Sequence, residues 1–328
     1  MGGCYGYNES SCSRRSYSYE SSLTNTIKKF FESRETEKLI EALRAYEDQG
    51  YSNGFFRKLM DYQKIEEAPK EFGDTEIESK LEIALINTNK KYGKKEPTGK
   101  EILDALEFPA TKSALYIKDA VNKTSTGENN FFGTDVGDER FVIIQKAGGY
   151  YLKEKGPAEP RSYGISGEQL VMFRKETRVK TDPLKVAQAL MSKYADGATR
   201  YQGTITKTKS DAFIMNTHTG RMYGVTVSDS RISERRQIQL EVEYAGYIPG
   251  FEIDIDSEKS IVQDIVNINK QVLLLYNDIR VCNGWKMQFR PTAERKYDFV
   301  LGSNTKELPE PCVEKLLALP EQELVAAK

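Results

Sequence analysis

The chain has 328 residues, of which 30% are charged and 38% hydrophobic, and its formal net charge is −1. A chain of this length can bury a large core without disulfides or structural metals, and its balanced charge excludes a global attraction to nucleic acid or anionic membranes. Four cysteines without a CxxC pair and a single histidine argue against a Cys/His zinc site. We expect a cytoplasmic protein, because we find no signal peptide and no apolar run long enough to span a bilayer.

The N-terminal region divides into two parts by composition. Residues 1–21 are rich in Ser, Tyr and Gly and are predicted to form a flexible arm. Residues 22–70 have apolar positions at helical spacing, with breaks at Gly50 and Gly54, and predict a helical N-terminal extension. The extension has no motif, so capping of the main domain, self-association into a homodimer and partner binding all stay open.

From residue 75 the pattern changes to short strands separated by turns, and it predicts one domain over 75–302 followed by a tail over 303–328. Strands are predicted at 76–86, 140–146, 150–155, 170–179, 200–209, 212–216, 221–227, 238–244, 285–290 and 296–301. Helices are predicted at 99–106, 183–194 and 260–276. Such a meander with few parallel crossovers indicates an antiparallel sheet that closes or nearly closes.

Charged residues recur at every second position of several predicted strands, and therefore share one face of each strand. The first strand places Glu76, Glu78 and Lys80 on one face and Ile77 and Leu81 on the other. The same alternation occurs at Lys153 and Lys155, at Arg174, Glu176 and Arg178, at Lys207 and Lys209, and at Glu241 and Glu243. Two interpretations stay open: a solvated sheet face with cross-strand ion pairs, or a barrel lumen that holds a polyanion and a hard divalent cation.

A family resemblance favours the lumen. The segment Glu76-Ile-Glu78-Ser-Lys80 resembles the ExExK signature of CYTH domains, the triphosphate tunnel metalloenzymes. Further segments resemble the motifs of that family in the same order over about residues 75–300: Phe132-Gly-Thr-Asp135, Leu152-Lys-Glu-Lys155-Gly-Pro157, Arg174-Lys-Glu176, Lys207-Thr-Lys209, Tyr223-Gly-Val-Thr-Val-Ser-Asp229, Gln239-Leu-Glu241-Val-Glu243 and Glu294-Arg-Lys296-Tyr297. The chain departs from the family at residues 142–146, where Val-Ile-Ile-Gln-Lys stands in place of Leu-Arg-Ile-Arg, and in inserts at 87–127 and 247–284.

The resemblance implies an α+β fold, an antiparallel eight-stranded β-barrel with flanking helices, and a set of ligand-binding residues. The residues implied to bind phosphate are Lys80, Lys155, Arg174, Lys207, Lys209 and Arg221. The residues implied to bind one or two Mg²⁺ or Mn²⁺ ions are Glu76, Glu78, Glu176, Asp229, Glu241 and Glu243. Lys80 and a proton-accepting carboxylate, Glu78 or Glu243, are the implied catalytic residues.

The function implied is a metal-dependent phosphohydrolase that cleaves a triphosphate, either inorganic triphosphate or a nucleoside triphosphate such as ATP or GTP. Three alternatives stay open: an adenylate cyclase of class IV type, a polyphosphate polymerase, and a sensor that binds a triphosphate without turnover. We expect no membrane partner, and no nucleic-acid partner apart from an RNA 5′ triphosphate end.

Several charged residues are predicted to lie outside the site because their phase or position is ambiguous. His218 is assigned to an exposed turn. The residues assigned to the surface are Lys153, Glu154, Lys175, Arg178 and Lys180. Arg231, Arg235 and Arg236 are assigned to a solvated loop. Arg295 and Lys296 are weaker lumen candidates than the six basic residues above.

Overall fold

The structure is a computed structural model that describes residues 70–88, 95–106, 116–134, 140–163, 169–195, 199–216, 219–247, 257–281 and 284–302. The predicted arm, almost all of the helical extension, the C-terminal tail, Asp135 and His218 lie outside these residues. The predicted domain boundaries therefore stay a prediction.

The described part contains ten strands and four helices. The strands are β1 (Thr75–Asn87), β2 (Tyr116–Thr134), β3 (Arg140–Lys146), β4 (Gly149–Lys155), β5 (Glu159–Tyr163), β6 (Gln169–Thr181), β7 (Thr199–Asn216), β8 (Arg221–Ile232), β9 (Arg235–Tyr247) and β10 (Trp285–Pro291). The helices are α1 (Gly99–Ala105), α2 (Pro183–Ala195), α3 (Ser257–Leu275) and α4 (Lys296–Leu301).

Eight strands close into an antiparallel barrel in the order β1-β9-β8-β7-β2-β3-β4-β6, and the pairing of β1 with β6 completes the ring. The two remaining strands extend the sheet outside the ring. Strand β5 pairs with β6. Strand β6 pairs with the first half of β1, and β10 pairs with the second half along the same edge. The predicted eight-stranded antiparallel barrel is confirmed.

The outer face of the barrel is apolar and the inner face is largely polar. Alternate residues of β1, β8 and β9, among them Ile77, Val225 and Leu240, pack against buried residues of α3 such as Ile265 in the main core. On the other side of the barrel, Val186 of α2 packs with Phe132, Phe141 and Ile143. Because the helices cover the outer face, the strands can direct their charged residues inward.

The structure differs from the predicted elements at four places. Residues 200–209 and 212–216 belong to the single strand β7, because β2 and β8 pair with it on both sides of Ser210 and Asp211. Strand β2 was not predicted, since its many Lys, Thr, Asn and Gly residues have no apolar alternation. Strand β5 was also not predicted; it has only five residues and contains a proline.

The segment 296–301, predicted as a strand, is instead the helix α4. The backbone N–H of Arg295 donates to the Asp298 carboxylate over 2.9 Å, which satisfies a donor at the start of the helix. Six residues are too few for apolar periodicity to separate a helix from a strand.

None of the helices in the described ranges is both long enough and apolar enough to cross a membrane.

Candidate functional site

The barrel encloses a cavity of about 550 Å³. This volume lies within the range of roughly 300–1,000 Å³ found for small-molecule sites. The charged residues that line it are Glu76, Glu78, Lys80, Lys146, Lys153, Lys155, Arg174, Arg178, Lys207, Lys209, Asp211, Glu241, Glu243, Arg295 and Lys296. They come from seven elements, namely β1, β3, β4, β6, β7, β9 and α4, with Arg295 directly before α4. The alternating charges thus share one lumen.

A first set of ion pairs, the lumen cluster, consists of Glu76, Glu78, Lys80, Lys155 and Arg174. Lys155 Nζ lies 3.1 Å from Glu76 Oε2, and Lys80 Nζ lies 2.8 Å from Glu78 Oε1. The Arg174 guanidinium bonds to both carboxylates, and the β1–β6 register sets Arg174 directly opposite Glu76. This cluster joins strands β1, β4 and β6.

Burial and charge oppose each other in the lumen cluster. Burial alone would raise the pKa of Glu76, but Lys155 and Arg174 hold that pKa well below its usual range. Burial would likewise lower the pKa of Lys155 and Arg174, but the facing carboxylates raise both above their ordinary values. Glu76, Lys155 and Arg174 are therefore charged at neutral pH.

A second group of charges surrounds Glu241 on β9. Its Oε1 accepts from Ser228 Oγ over 2.9 Å, and Lys296 Nζ and Lys207 Nζ lie 3.2 and 3.3 Å away. Lys209 Nζ lies 3.8 Å from the other oxygen. One carboxylate thus faces three ammonium groups, so the excess charge on this side of the cavity is positive.

Burial lowers the pKa of two of these lysines, and neighbouring lysines add to the effect. Burial, together with the neighbouring Lys209 and Lys296, lowers the pKa of Lys207 well below its ordinary value, despite the opposing effect of Glu241. Burial lowers the pKa of Lys296 to about 8, with a further contribution from Lys80. An anion between these lysines would relieve their repulsion.

At Glu243, by contrast, burial and negative neighbours disfavour the charged form of a carboxylate. Burial and the negative charges of Glu76 and Glu176 raise its pKa to about 7. The β1–β9 register also sets Glu243 directly opposite Glu78, so two carboxylates lie side by side. The part of the cavity near Glu243 therefore has an excess of negative charge.

Two basic residues that the sequence assigned to the surface line the cavity. Lys153 forms an ion pair with Glu176, whose other oxygen lies 2.6 Å from Lys155 Nζ. Lys153 shares the inward face of β4 with Tyr151 and Lys155. The sequence already showed this alternation, because the three residues occupy every second position. The guanidinium of Arg178 lies 4.5 Å from the centroid of the Tyr151 ring.

Three predicted ligand residues are not among those that line the cavity: Glu176, whose carboxylate pairs with Lys153 and Lys155, and Arg221 and Asp229. Arg221 and Asp229 belong to the outward-facing set of β8 together with the buried Val225 and Val227. The prediction that they bind phosphate and metal in the lumen is therefore corrected. Inward positions of the same strand carry hydroxyl groups such as that of Ser228.

Each of the two corrected residues has its own protein partner. Arg221 is fully buried and donates to Glu71 Oε1 over 2.9 Å and to Ser260 Oγ over 2.7 Å. Asp229 accepts from Arg236 over 3.0 and 2.8 Å. Both residues therefore stabilise the outside of the barrel.

Helix α4 fills one end of the barrel. Phe299 and Val300 pack against inward-facing residues of the strands, including Phe131, Ile205 and Ile232. Lys296, at the start of the helix, reaches the carboxylate of Glu241. A strand prediction could not place these side chains, because their position depends on the helical turn.

Gly133 is required where α4 meets the barrel. A Cβ atom at this position would lie 2.0 Å from Tyr297 Oη. Any side chain here would therefore displace the ring of Tyr297.

The donor chemistry of the cavity fits a hard divalent cation. Glu76, Glu78, Glu241 and Glu243 offer carboxylate oxygens, the ligands that Mg²⁺ and Mn²⁺ prefer. Within the described ranges, no group of three or more Asp, Glu, His or Cys residues is already assembled to hold a metal ion. A cation would therefore have to replace some of the Lys and Arg partners of these carboxylates.

Comparison with known proteins adds little beyond the fold. No family model matches the chain, and no curated protein matches it. The barrel itself has the strand number and closure that the resemblance implied. The predicted closed eight-stranded antiparallel barrel is thereby confirmed, whereas the family stays a resemblance.

Similar solved structures include a conserved hypothetical protein from Pyrococcus furiosus, with 14% identity, a TM-score of 0.32 and coverage of 60% of this chain and 90% of that one. The PH1819 protein from Pyrococcus horikoshii OT3 has 11% identity, a TM-score of 0.35 and coverage of 69% and 99%. The S. pombe Pct1 RNA triphosphatase, in complex with the Spt5 CTD, has 12% identity, a TM-score of 0.31 and coverage of 69% and 89%. Identities and TM-scores this low say nothing about function, so the function is inferred from the cavity alone.

Proposed function

We propose that this protein is a metal-dependent phosphohydrolase that cleaves a triphosphate inside the barrel. The observation that supports this is the convergence of five lysines and arginines with four glutamates on one enclosed cavity: Lys80, Lys155, Arg174, Lys207, Lys209, Glu76, Glu78, Glu241 and Glu243. Two of the lysines nearby have lowered pKa values, so their site favours an added anion.

In this proposal the basic residues bind and orient the phosphate chain. Arg174 offers a rigid fork of donors that suits phosphate oxygens, while the lysines act as point charges. Lys207 and Lys209 would bind one part of the chain, and Lys80 and Lys155 another. Phosphoryl transfer depends mainly on such positioning and on neutralisation of charge.

The carboxylates of Glu76, Glu78 and Glu241 would hold the divalent ion, and Glu176 would support them from β6. When bound, Mg²⁺ or Mn²⁺ would neutralise phosphate charge and polarise the bond to be cleaved. Glu243 is the better candidate for the proton acceptor, because a pKa of about 7 suits a general base near neutral pH. Glu78 is less suited because Lys80 and Arg174 already compensate its charge.

The experiment that tests the proposal uses the purified full chain with inorganic triphosphate, ATP or GTP and with Mg²⁺ or Mn²⁺. Phosphate, pyrophosphate and cyclic nucleotide are measured together, because hydrolysis gives phosphate and cyclisation gives cyclic nucleotide with pyrophosphate. We expect metal-dependent release of phosphate that is lost in the Glu76→Ala, Glu78→Ala double variant. The matched control is Glu82→Ala, an exposed carboxylate on the same strand outside the cavity, which should keep full activity.

A second candidate is a sensor that binds a triphosphate without turnover. The observation that favours it is that Glu76, Glu78 and Glu241 are all engaged by Lys or Arg, with no metal-binding group assembled in the described residues. Calorimetric binding of inorganic triphosphate that is lost in Lys207→Ala, without any product, would support the sensor. Neither binding nor turnover would refute both candidates.

A further inference from the structure

Strands β1 and β9 separate before either of them ends. They pair over residues 78–82 of β1 and 239–243 of β9. The same register, continued, would pair residues 83–86 with residues 235–238, but within the described ranges neither segment has a strand partner on this side. Strand β10 pairs with the other edge of β1, and β8 with the other edge of β9. Each segment therefore has one paired edge and one free edge, and the free edges border the same gap.

A crevice of about 480 Å³, here called the edge crevice, opens between these two free edges. Ile83, Ile238 and Phe299 give it an apolar lining, and charged residues of β1, β9 and the segment before α4 surround them. It shares no lining residue with the barrel cavity. Apolar surface surrounded by polar residues is typical of interaction sites, so the edge crevice is a candidate site separate from the lumen.

The backbone on both sides of the edge crevice suits an extended peptide. A free strand edge presents N–H and C=O groups that need hydrogen-bond partners, and an added strand supplies them. Charged side chains and prolines normally protect such an edge from pairing with other chains. The β1 segment Ile83-Ala-Leu-Ile86 contains neither, and Ile86 is 39% exposed. An unprotected apolar edge favours a peptide over solvent as its neighbour.

The charges of the edge crevice differ between its two ends. Glu82 lies at the end where β1 and β9 are still paired, opposite Gln239. Glu294 lies near this end, because its backbone carbonyl accepts from Gln239 Nε2 over 2.9 Å. Arg235 lies at the other end, about 13 Å away for four residues of a strand. Its guanidinium lies 4.7 Å from the centroid of the Phe299 ring.

These three charges are uncompensated in the part of the chain that the structure describes. There, Glu82 and Glu294 have no Lys or Arg partner, and Arg235 has no carboxylate partner. Arg236, the neighbouring arginine, is by contrast engaged by Asp229. A ligand that complements the edge crevice thus has a cation at one end and an anion at the other.

We propose that the edge crevice binds an extended peptide segment of a partner protein. The segment has a Lys or Arg for Glu82 and Glu294, apolar residues next to it for Ile83 and Ile238, and an Asp or Glu about four positions away for Arg235. Its backbone pairs with the free edges of β1 and β9. This proposal does not depend on the proposed function, because the edge crevice and the barrel cavity are lined by different residues.

The test uses the purified full chain and a fluorescein-labelled probe peptide, Gly-Lys-Val-Thr-Val-Glu-Gly, followed by fluorescence anisotropy. The control peptide has proline in place of both valines, which keeps the charges and removes two backbone N–H donors. We expect the probe to bind roughly tenfold more tightly than the control, as the loss of two hydrogen bonds implies. A dissociation constant of the probe weaker than about 1 mM, or equal affinities of the two peptides, would overturn the proposal.

Hydrogen exchange on the unaltered protein locates the peptide. Amides of residues 83–86 and 235–238 should gain protection when the probe is added, whereas amides of β7 should not change. Protection of both segments without peptide would also overturn the proposal. If that protection persists on dilution, another segment of the same chain occupies the edge crevice, and if it is lost on dilution, a second copy does.

Charge reversal tests the orientation of the peptide. Arg235→Glu should weaken binding of the probe roughly fivefold and should bind a peptide with Lys in place of Glu more tightly than the unaltered protein does. Glu82→Lys should show the converse with a peptide that has Glu in place of Lys. The matched control is Arg231→Glu, at an exposed arginine that does not line the edge crevice. Equal losses for all three peptides in each variant would contradict the assigned ends, while triphosphate turnover, measured without peptide, is tested independently.

Discussion

Two buried arginines on opposite faces of the barrel wall both bond to glutamates, but only one of them faces the cavity. Arg174 lies in the lumen cluster with Glu76 and Glu78. Arg221 lies outside the barrel, fully buried, and bonds to Glu71 and Ser260. Only Arg174 lines a cavity in which a ligand could replace its protein partners.

The difference shows that burial and ion pairing alone do not identify a ligand-binding residue. Arg221 bonds to Glu71 and Ser260, and Tyr244 Oη also donates to Glu71 Oε2 over 2.7 Å. We call these four residues the outer cluster, and none of them lines the cavity. In the lumen cluster, by contrast, Glu76, Glu78, Lys155 and Arg174 each have two oppositely charged partners. Exchange of partners is what binding of a polyanion and a cation requires.

The largest effect on stability is expected from Arg221→Met. Removing one partner of a buried ion pair costs about 3–5 kcal/mol, because the remaining charge is left uncompensated. Urea denaturation should show a loss of about this size, whereas Arg231→Met, at an exposed arginine of the same strand, should stay within about 0.5 kcal/mol of the wild type. Triphosphate binding by the folded fraction of Arg221→Met should be unchanged, and a loss of binding there would contradict the separation of the two clusters.

The next effect is on binding, in Arg174→Met. Charge-assisted hydrogen bonds contribute about 1.5–3 kcal/mol, so affinity for inorganic triphosphate should fall roughly 10- to 100-fold in calorimetry. Destabilisation should be smaller than in Arg221→Met, since Lys155 and Lys80 still compensate Glu76 and Glu78. Destabilisation equal to that of Arg221→Met with binding preserved would mean that Arg174 is also a purely structural residue.

A smaller effect should be visible as proton uptake. The pKa of Lys296 is about 8 before ligand binds, below its ordinary value, and the pKa of Lys207 is lowered as well. A bound polyanion raises both, so triphosphate binding should take up protons above pH 8, and affinity should decrease as the pH rises from about 8 toward 10. Calorimetry in two buffers of different ionisation enthalpy measures the uptake, which Lys296→Met should reduce; proton release would contradict the expected direction.

The smallest effect is expected from Asp229→Asn. Because Asp229 faces outward and binds Arg236, activity and its dependence on Mg²⁺ or Mn²⁺ should be unchanged within error. A shift of the metal concentration needed for half-maximal activity would restore the original prediction that Asp229 binds metal.

Much of the cavity was predictable from strand alternation. On β1, β7 and β9 the charged residues occupy every second position, so the shared face of Glu76, Lys207 and Glu241 with their strand neighbours followed from the sequence once a barrel was assumed. The alternation on β4 also contained Lys153. It was assigned to the surface because Glu154, between the two lysines, made the phase ambiguous.

Other features depend on tertiary contacts that no local pattern encodes. Asp229 ends a segment that resembles a family motif, and Arg221 was implied as a phosphate ligand, but Arg236 and helix α3 hold them on the outside of the barrel. The apolar residues Val142 and Ile144 on β3 depart from the family pattern. Only the structure shows that they pack against Tyr151 and helix α4. Helix α4 itself was too short to be recognised as a helix.

The barrel is apolar on the outside, and apart from the end filled by helix α4 its lumen is charged. The charged part of the lumen therefore contributes little hydrophobic stabilisation, and a fitting ligand completes it. Ligand at 100 times its dissociation constant stabilises the folded state by about 2.7 kcal/mol, which in a domain of this size raises the melting temperature by roughly 5–10 °C. A melting screen over polyphosphates and nucleotides would therefore rank natural ligands without any assumption about the reaction.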